Sequence, residues 1–329
     1  MIQGIARTFP LDWSVRREHR IPDARSPGLG PYYIGWDPGH GPYGEGWESM
    51  PRDADGALMS LPGDLSSPTV VAQYGLEQHA RWMLHGDPAS FEAFIAQARW
   101  LRTQQLTLRG IHGCYPFPQP WPAYGAPLGF LSAMTQGEAI SLLLRAYEIG
   151  REQSFLEAAV SAAEPFRHEV GRGGVTWRAD GDVYLEEAAV DPPGHILNGW
   201  IYALWGIREL RGYHAEPWLA ELHDASLDTL RRRLELFDSG HWSYYNLLAT
   251  RTGFRKLATL KYHAFHIAQL RVLAAMTGDS YFGEVAERWR GYVDSAASRV
   301  SVYVNALAGL PIRFLSRADT VPHGARSVV

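Results

Sequence analysis

The chain has 329 residues, and 46% of them are hydrophobic, which is enough to bury one large core or two modest ones. Its formal charge of −4, from 31 basic and 35 acidic side chains, excludes the strong positive field that binding to nucleic acids or anionic membranes requires. The single Cys114 excludes an internal disulfide, and no stretch approaches the ~18 consecutive apolar residues of a membrane span.

Residues 1–65 are predicted to form an extended arm that is irregular and partly β. Their segment GPYYIGWDPGHGPYGEGW is rich in turn-forming residues and has no helical period. We expect the arm to pack against the helical domain that follows, and its aromatic side chains are consistent with a homodimer. The N-terminal sequence contains no apolar run of the length found in signal peptides, so the expected location is the cytoplasm.

A repeated pattern in the remainder of the chain determines the predicted fold class. Each repeat has a helical pattern that ends at a glycine, then a short polar turn, then an aromatic residue near the start of a second helix. The glycines are Gly86, Gly150, Gly212 and Gly278. Glycine directly after a helix adopts the left-handed conformation that closes the last turn. Each repeat is therefore predicted to be a helical hairpin, and a ring of such hairpins is an (α/α) barrel, or toroid.

Long connections join the predicted hairpins and are rich in glycine, proline and aromatic residues. They cover residues 109–130, 170–194 and 237–257. The second is predicted to contain a β-hairpin with its turn at Ala179-Asp180-Gly181. In a toroid such loops gather at one mouth of the barrel and form the binding site. The chain is thus predicted to be mainly α, with three parts: the arm (1–65), a catalytic barrel (66–300) and a C-terminal tail (301–329).

The third loop and the helix after it carry the densest set of candidate site residues. Between Asp238 and Leu270 the sequence places six aromatic or histidine side chains close together: Trp242, Tyr244, Tyr245, Tyr262, His263 and His266. Tyrosine and histidine transfer protons, and aromatic rings contact sugars. The competing interpretation is an aromatic seam of the core. The two histidines have no third metal ligand positioned by the sequence, so we predict neither a metal nor another cofactor.

Several segments together carry a resemblance to a known family: PTVVAQYGLEQHARW, SAMTQGEAISLLLRAY, HILNGWIYALWGIREL, SGHWSYYNL and KYHAFHIAQL. In this order and spacing they resemble the C-terminal catalytic domain of the D-glucuronyl C5-epimerases and the helix that precedes it. The resemblance covers residues 65 to 295 in rough outline. Members of that family convert glucuronate to iduronate within heparan-type polymers. Animal members carry a β-sandwich domain between the AQYGL helix and the barrel, and we expect that domain to be absent here.

The resemblance also implies roles for individual residues. It implies catalytic roles for Tyr245, Tyr262 and Glu187, and a substrate-binding role for Asn198. The competing interpretations are a solvated loop glutamate for Glu187 and a helix cap for Asn198. Further substrate contacts are predicted near the expected mouth of the barrel: Gln136, Arg178, Tyr184, Trp242, Tyr244, His263 and His266.

Two positions depart from the pattern of the family. Ala188 stands where the family has a tyrosine, and Leu248 stands where it has an arginine. A uronate needs a positive partner for its carboxylate, because otherwise its carbon-5 proton is too weakly acidic to remove. The candidate replacements are arginines of the second and third loops, among which Arg178 is preferred over Arg172, Arg251 and Arg255.

Epimerisation beside a carboxylate requires two proton-transfer groups on opposite faces of the sugar ring. Tyr262 and Glu187 are predicted to form that pair, because their loops would meet at the barrel mouth. His266 shares a helical face with Tyr262, and it is predicted to be the neighbour that helps Tyr262 to act as a base. Tyr245 is predicted to donate a hydrogen bond to the developing enolate. The predicted partner is a uronate-containing oligosaccharide or polysaccharide.

Three other functions remain open from the sequence. A polysaccharide lyase shares the proton abstraction but then expels the substituent at oxygen 4. A glycoside hydrolase needs two opposed carboxylates, and Glu187 has several candidate partners: Glu45, Asp180, Asp182 and Asp191. A saccharide-binding protein would keep the barrel without turnover, and the substitutions at Ala188 and Leu248 are the features that favour it.

Overall fold

The computed structural model describes residues 19–22, 28–36, 46–63, 65–249 and 255–305. Their main elements are antiparallel pairs of helices, as the glycine repeat predicts. The helices are α1 (Pro68–His85), α2 (Pro88–Thr103), α3 (Ala133–Gly150), α4 (Gln153–Ala162), α5 (Leu197–Arg211), α6 (Pro217–Arg233), α7 (Leu260–Thr277) and α8 (Ser280–Asp294). A further helical segment runs from 296 to 305, across the predicted start of the tail.

The first helix of each pair lies inside and the second lies outside. In α3 every residue from Ala133 to Ala146 is buried, which is the pattern of a helix surrounded by other elements. In α6 burial recurs every three or four residues, which is the pattern of a helix with one solvent face. The inner helices are neighbours in the order α1, α3, α5 and α7. Together these pairs form the predicted (α/α)-barrel architecture.

The inner helices α3 and α5 approach each other at glycines. A Cβ atom on Gly137 would lie 2.7 Å from the Cα of Ala203, so only glycine permits this crossing. Substitution there would push the two helices apart, and with them the loops that precede each helix. The shape of the barrel mouth therefore depends on glycine at position 137.

The predicted helix ends are right at two of the four glycines. Gly86 and Gly278 follow their helices with φ of 68° and 72°, the left-handed conformation. Gly150 is instead the last residue of α3, and Arg151 takes the left-handed conformation with φ of 51°. Gly212 has φ of −73°, because the chain leaves α5 through a hydrogen-bonded right-handed turn. The hairpins form in all four places, although the local geometry of the turn differs.

Three short β-hairpins project from the connections between the helices that the structure describes. Their strands are β1 (Leu106–Leu108), β2 (Ile111–Cys114), β3 (Thr176–Ala179), β4 (Asp182–Leu185), β5 (Tyr244–Ala249) and β6 (Arg255–Leu257). The predicted turn between β3 and β4 is present, with φ of 51° at Asp180 and 80° at Gly181. Both values are those of the tight turn that two-residue hairpins favour.

The described part of the N-terminal arm contributes to the core of the barrel. Tyr32, Trp36 and Trp47 are each buried, with at most 3% of their surface exposed. The ring of Tyr32 stacks on Trp36 at 5.6 Å between centroids and on Tyr202 of α5 at 6.2 Å. Burial of large aromatic rings provides much of the driving force for docking such a segment.

The arm and the long loops occupy opposite ends of the inner helices. The arm contacts the middle of α5 at Tyr202 and Trp205, and the N–H of Leu29 donates to Glu148 near the C-terminal end of α3. The loop after β4 instead leads into the first turn of α5. The arm therefore fills one end of the barrel and leaves the N-terminal ends of the inner helices to the loops. In the part of the chain with described coordinates, no helix is both long and apolar enough to cross a membrane.

Candidate active site at the mouth of the barrel

The structure brings together the four residues whose roles follow from the resemblance. Glu187 follows β4, Asn198 lies in the first turn of α5, Tyr245 lies in β5, and Tyr262 lies in the first turn of α7. The amide nitrogen of Asn198 is 3.5 Å from Oε2 of Glu187, and the rings of Tyr245 and Tyr262 meet edge to face at 4.7 Å. The negative charge of Glu187 also acts on Tyr245. These side chains form one cluster.

A backbone contact explains why three loops meet there. The N–H of Leu247 in β5 donates to the carbonyl of Gly194, 3.1 Å away, which joins the third loop to the second. The ring of Tyr124, from the first loop, packs on the same glycine, since a Cβ atom at Gly194 would lie 2.9 Å from a ring carbon. The three connections therefore converge on one point beside Glu187.

Glu187 is a buried carboxyl group, with 9% of its surface exposed. Burial, and then the charge of Glu186, raise its pKa to about 8, against the opposing effects of the Gly199 N–H and the charge of Lys256. A Cβ atom at Gly199 would lie 2.6 Å from the Cβ of Glu187, so the glycine permits the close approach of helix α5. Glu187 is not the solvated loop glutamate of the competing interpretation.

Glu186 is fully buried and holds the loop that carries Glu187. Its Oε2 accepts the backbone N–H of His195 at 3.0 Å, and its Oε1 lies 2.5 Å from Nδ1 of the same histidine. His195 has φ of 47°, a conformation that is costly for a residue with a side chain. Its ring stacks on Tyr184 at 3.8 Å, which further restrains it. Because the loop is fixed at both Glu186 and His195, the position of Glu187 between β4 and α5 is fixed as well.

Tyr245 stays protonated at ordinary pH. Burial, and then the charge of Glu187, raise the pKa of Tyr245 well above its usual value of 10. The hydroxyls of Tyr245 and Tyr262 are joined by a hydrogen bond. Tyr245 therefore enters any reaction as a proton or hydrogen-bond donor.

Lys256 is the cation that the structure places beside this cluster. Its Nζ lies 4.8 Å from the centre of the Tyr245 ring, and its charge acts on Glu187. Arg178, the residue preferred from the sequence, is exposed on β3 opposite Val183, and its contact with the substrate stays a prediction. Arg255 lies over the ring of Tyr244 at 5.7 Å, and Arg251 lies outside the described residues. Lys256 lies in the third loop beside candidate arginines, and that position is the signal in the sequence that could have identified it.

Trp242, His263 and His266 form a buried network behind the tyrosines, and their predicted sugar contacts stay predictions. The ring of Trp242 stacks on His263 at 3.8 Å, and the hydroxyl of Ser243 lies 2.8 Å and 2.9 Å from Nδ1 of His263 and His266. Burial lowers the pKa of His263 to about 3 and that of His266 well below its usual value. A neutral His266 supplies no positive charge to Tyr262, which leaves hydrogen bonding as the way in which it could assist that residue.

Three other predicted substrate contacts have structural partners. The amide of Gln136 is fully buried and bonds to the N–H of Tyr115 and to the carbonyls of Gly113 and Ala162, at 2.7–3.1 Å. It therefore holds the first loop and cannot reach a sugar without losing those bonds. The hydroxyl of Tyr184 donates to Asp182 at 3.2 Å, beneath His195. Tyr244 is half-buried under Arg255.

Among the described residues, none of the candidates for the second carboxylate of a glycoside hydrolase is both buried and unpaired. Asp182 is paired with Arg232 and Arg233, each at 2.6 Å, which removes its charge from the cluster. Asp180 and Asp191 are exposed, and Glu45 lies outside the described residues. Across the ranges that the structure covers, no three potential metal ligands gather in one place.

Two further residues of the cluster were missed from the sequence. Tyr124 comes from the short 3-10 turn at Pro122–Tyr124, and its hydroxyl lies 2.5 Å from the amide nitrogen of Asn246 in β5. The two residues are 122 positions apart in the chain, so no local pattern pairs them. The sequence predicts only a loop for the segment PQPWPAYG and does not single out Tyr124.

Comparison with known proteins gives a family match and two relatives of different length. Residues 112–291 match the family model described as D-glucuronyl C5-epimerase C-terminus. The D-glucuronyl C5-epimerase of Caenorhabditis elegans is 32% identical over 179 residues, which are 50% of this chain and 29% of that protein. An uncharacterized protein of Methanocaldococcus jannaschii is 26% identical over 174 residues, 52% of this chain and 54% of that protein. The chain therefore spans less than two thirds of either relative.

A solved structure shares the fold. The cellobiose 2-epimerase of Spirochaeta thermophila superimposes with a TM-score of 0.52 over 75% of this chain and 65% of that one. The sequence identity is 15%, so this likeness shows the fold alone. It confirms the predicted (α/α) barrel.

Proposed function

Because this chain belongs to the family of the D-glucuronyl C5-epimerase C-terminus, we propose that it epimerises D-glucuronate at carbon 5. The family supports a carbohydrate-modifying enzyme, and the proposal adds the reaction and the substrate, a uronate-containing oligosaccharide or polysaccharide. The observation that carries it is the buried Glu187, whose pKa is raised by burial, beside two phenols. That combination suits proton removal from one face of a sugar and proton return to the other.

Glu187 is the base of the proposed reaction. A pKa of about 8 leaves part of the population ionised near neutral pH, and that carboxylate is far more basic than an exposed glutamate. General bases work best when their pKa lies close to the operating pH. Burial thus makes an ordinary carboxylate basic enough to compete for a carbon-bound proton.

The tyrosines act on the developing charge and on the opposite face. The C5–H bond breaks, its proton passes to Glu187, and the electron pair moves onto the substrate carboxylate to give an enediolate. Tyr245 donates a hydrogen bond to that charge. Tyr262 then gives its proton to carbon 5 from the other face, and the proton on Glu187 returns to the phenolate through solvent. Atoms and charge balance, and no oxidant or cofactor is consumed.

Lys256 supports the binding of an anionic substrate. Its ammonium lies over the Tyr245 ring, within electrostatic reach of Glu187. A positive charge there attracts the uronate carboxylate and lowers the free energy of the dianionic enediolate more than that of the monoanionic substrate. This differential is what accelerates proton removal.

The test is nuclear magnetic resonance of glucuronate oligosaccharides prepared from heparosan, with simpler glucuronides alongside, incubated with the protein in deuterated water. We expect loss of the carbon-5 proton signal and appearance of iduronate. Glu187→Gln and Tyr262→Phe should abolish both, whereas Glu221→Gln, an exposed change on α6, should not. A vinylic signal with ultraviolet absorbance would mean lyase chemistry. No exchange on any of these substrates would contradict the proposal.

A further inference from the structure

Tyr124 is held rigidly at the edge of the cluster. Its ring meets Trp121 edge to face at 4.4 Å and packs on the backbone of Gly194. A Cβ atom at Gly194 would collide with the ring, so the glycine is what lets Tyr124 lie so close to the second loop. With the ring fixed on two sides, the position of the hydroxyl is fixed as well.

The hydroxyl of Tyr124 accepts a hydrogen bond and keeps its proton for another acceptor. The amide nitrogen of Asn246 donates to the phenolic oxygen at 2.5 Å. An oxygen that accepts this bond directs its own O–H elsewhere. In the ranges that the structure covers, no side chain or carbonyl takes that proton. Tyr124 is half-buried at the edge of the cluster, so this O–H is available to an acceptor on a ligand that enters there.

The surroundings of Tyr124 are those of the active site. Burial, and then the charge of Glu187, raise the pKa of Tyr124 well above its usual value, and Tyr262 also acts on it. Tyr124 in turn acts on Tyr245. The site therefore has a third phenol, which approaches Glu187 from the first loop while Tyr245 and Tyr262 approach from the third loop and from α7.

Asn246 carries a second observation that points to a ligand. The side chain is 96% buried, since 4% of its surface is exposed, and its Oδ1 has no hydrogen-bond partner among the described residues. One end of the amide thus holds Tyr124, while the other end is buried and unsatisfied. Unpaired buried acceptors are rare in folded proteins and are commonly completed by a bound molecule.

We propose that Tyr124 donates a hydrogen bond to the substrate carboxylate and that Asn246 positions its hydroxyl for that contact. The inference rests on the proposed function and names a substrate-binding residue of the same site. Hydrogen bonds from a neutral donor to a carboxylate are about twice as strong as neutral ones. The bond strengthens further as the carboxylate becomes an enediolate, so Tyr124 contributes to binding and more strongly to rate.

The experiment compares two ligands that differ only at the carboxylate: a heparosan tetrasaccharide and its carboxyl-reduced counterpart, in which glucuronate becomes glucose. Calorimetry gives the affinity of the full-length protein for each. We expect the native protein to prefer the carboxylate form and Tyr124→Phe, which keeps the ring, to lose about tenfold of that preference. Asn246→Ala should lose a smaller share. The rate of carbon-5 exchange should fall about 10²-fold in Tyr124→Phe.

Tyr213→Phe is the matched control, because it also removes the hydroxyl of a half-buried tyrosine. That hydroxyl bonds to Glu148 beyond the C-terminal end of α5, away from the mouth. It should leave both affinities and the exchange rate unchanged. Equal weakening of both ligands by Tyr124→Phe would indicate a packing role and overturn the inference, as would an unchanged preference. A native protein that prefers the carboxylate through Tyr124 but exchanges no proton would keep the inference and reject epimerisation. A native protein without the preference would overturn the inference itself.

Discussion

The two ends of the barrel are built from similar residues and differ in how their carboxylates are paired. At the arm end, Glu209 of α5 receives two hydrogen bonds from Arg145 of α3, at 2.8 Å and 3.1 Å, and Tyr32 lies over the guanidinium. At the mouth, Glu187 is also buried, and the cation whose charge acts on it, Lys256, lies over the ring of Tyr245. The charge of Glu209 is neutralised by its ion pair with Arg145, whereas the carboxyl group of Glu187 is neutralised by binding a proton.

Burial alone therefore does not distinguish a structural carboxylate from a reactive one. Removing a charge from water costs several kcal/mol, and that cost is offset only by a well-placed opposite charge. Arg145 supplies it for Glu209, so the ion pair can be kept in the core. Among the described residues Glu187 has no ion pair like that of Glu209, and burial raises its pKa to about 8. The difference between the ends is the physical basis of the proposed function.

The largest effect is expected from Glu187→Gln, which removes the reactive carboxylate and keeps its shape. Carbon-5 exchange should fall by about 10³-fold or more, the usual scale for loss of a general base. The free energy of unfolding of Glu187→Gln should instead be higher than that of the native protein at high pH. A carboxyl whose folded pKa is raised stabilises the fold below its unfolded pKa of ~4.3 and loses that contribution as pH rises through about 8.

At pH 9 the variant should therefore unfold at higher denaturant concentration than the native protein, with an upper bound of about 4–5 kcal/mol. At pH 4 the two curves should nearly coincide. Denaturation with urea at both pH values measures this. A variant that is less stable at pH 9 would show that the Glu187 carboxylate is compensated after all, and the contrast between the ends of the barrel would fail.

At the arm end, Arg145→Met should act on stability and not on chemistry. The change leaves Glu209 buried without its cation, and such losses cost about 3–5 kcal/mol. Exchange per folded molecule should stay within about twofold, because distant sites contribute nearly independently. Arg271→Met, which breaks the exposed pair with Glu287, is the control and should cost less than about 1 kcal/mol. A loss of exchange in folded Arg145→Met protein would contradict the separation of roles.

Lys256→Gln should weaken substrate binding about five- to tenfold, because the ammonium is exposed and partly screened by solvent. The difference from the native protein should shrink in ~1 M salt, where the Debye length is about 3 Å. Arg178→Gln should have little effect on affinity at any salt concentration. The reverse result, with Arg178 the sensitive position, would restore the interpretation drawn from sequence. Titration of the heparosan tetrasaccharide measures both.

The smallest effect is expected from Glu186→Gln, which keeps the contacts to His195 and removes a negative charge next to Glu187. Because the charge of Glu186 raises the pKa of Glu187, its removal should lower that pKa. The midpoint of the rising limb of the pH–rate profile should move down by about one unit. Glu152→Gln, an exposed change, should leave the midpoint in place. If the midpoint in Glu186→Gln stays at the native value, the rising limb of the pH–rate profile does not report the ionisation of Glu187.

The barrel could be predicted because its signals are local. A glycine, a polar turn and an aromatic residue recur within a few positions of each other, and each set marks a hairpin whatever surrounds it. The turn at Asp180-Gly181 is local in the same sense. Arg109-Gly110, with φ of 52° and 81°, forms the same kind of tight turn between β1 and β2. The sequence predicts only a loop there.

The site could be predicted only in part, because its remaining members meet through packing between distant loops. Tyr124 and Asn246 are joined across 122 positions, and no spacing rule anticipates that contact. His263 and His266 show a different limit of the sequence. Their spacing correctly put them on one face of α7, but the sequence did not indicate that this face turns toward Trp289 and the core.

The most direct measurement is the titration of Glu187 itself, which needs no knowledge of the substrate. Protein with carbon-13-labelled glutamate carboxyl groups would be followed by nuclear magnetic resonance from pH 4 to pH 10. The account predicts one carboxyl resonance that titrates near pH 8 and is absent from Glu187→Gln. If the resonance lost in Glu187→Gln titrates near the ordinary glutamate value of ~4.3, Glu187 is a compensated carboxylate and not the proposed base.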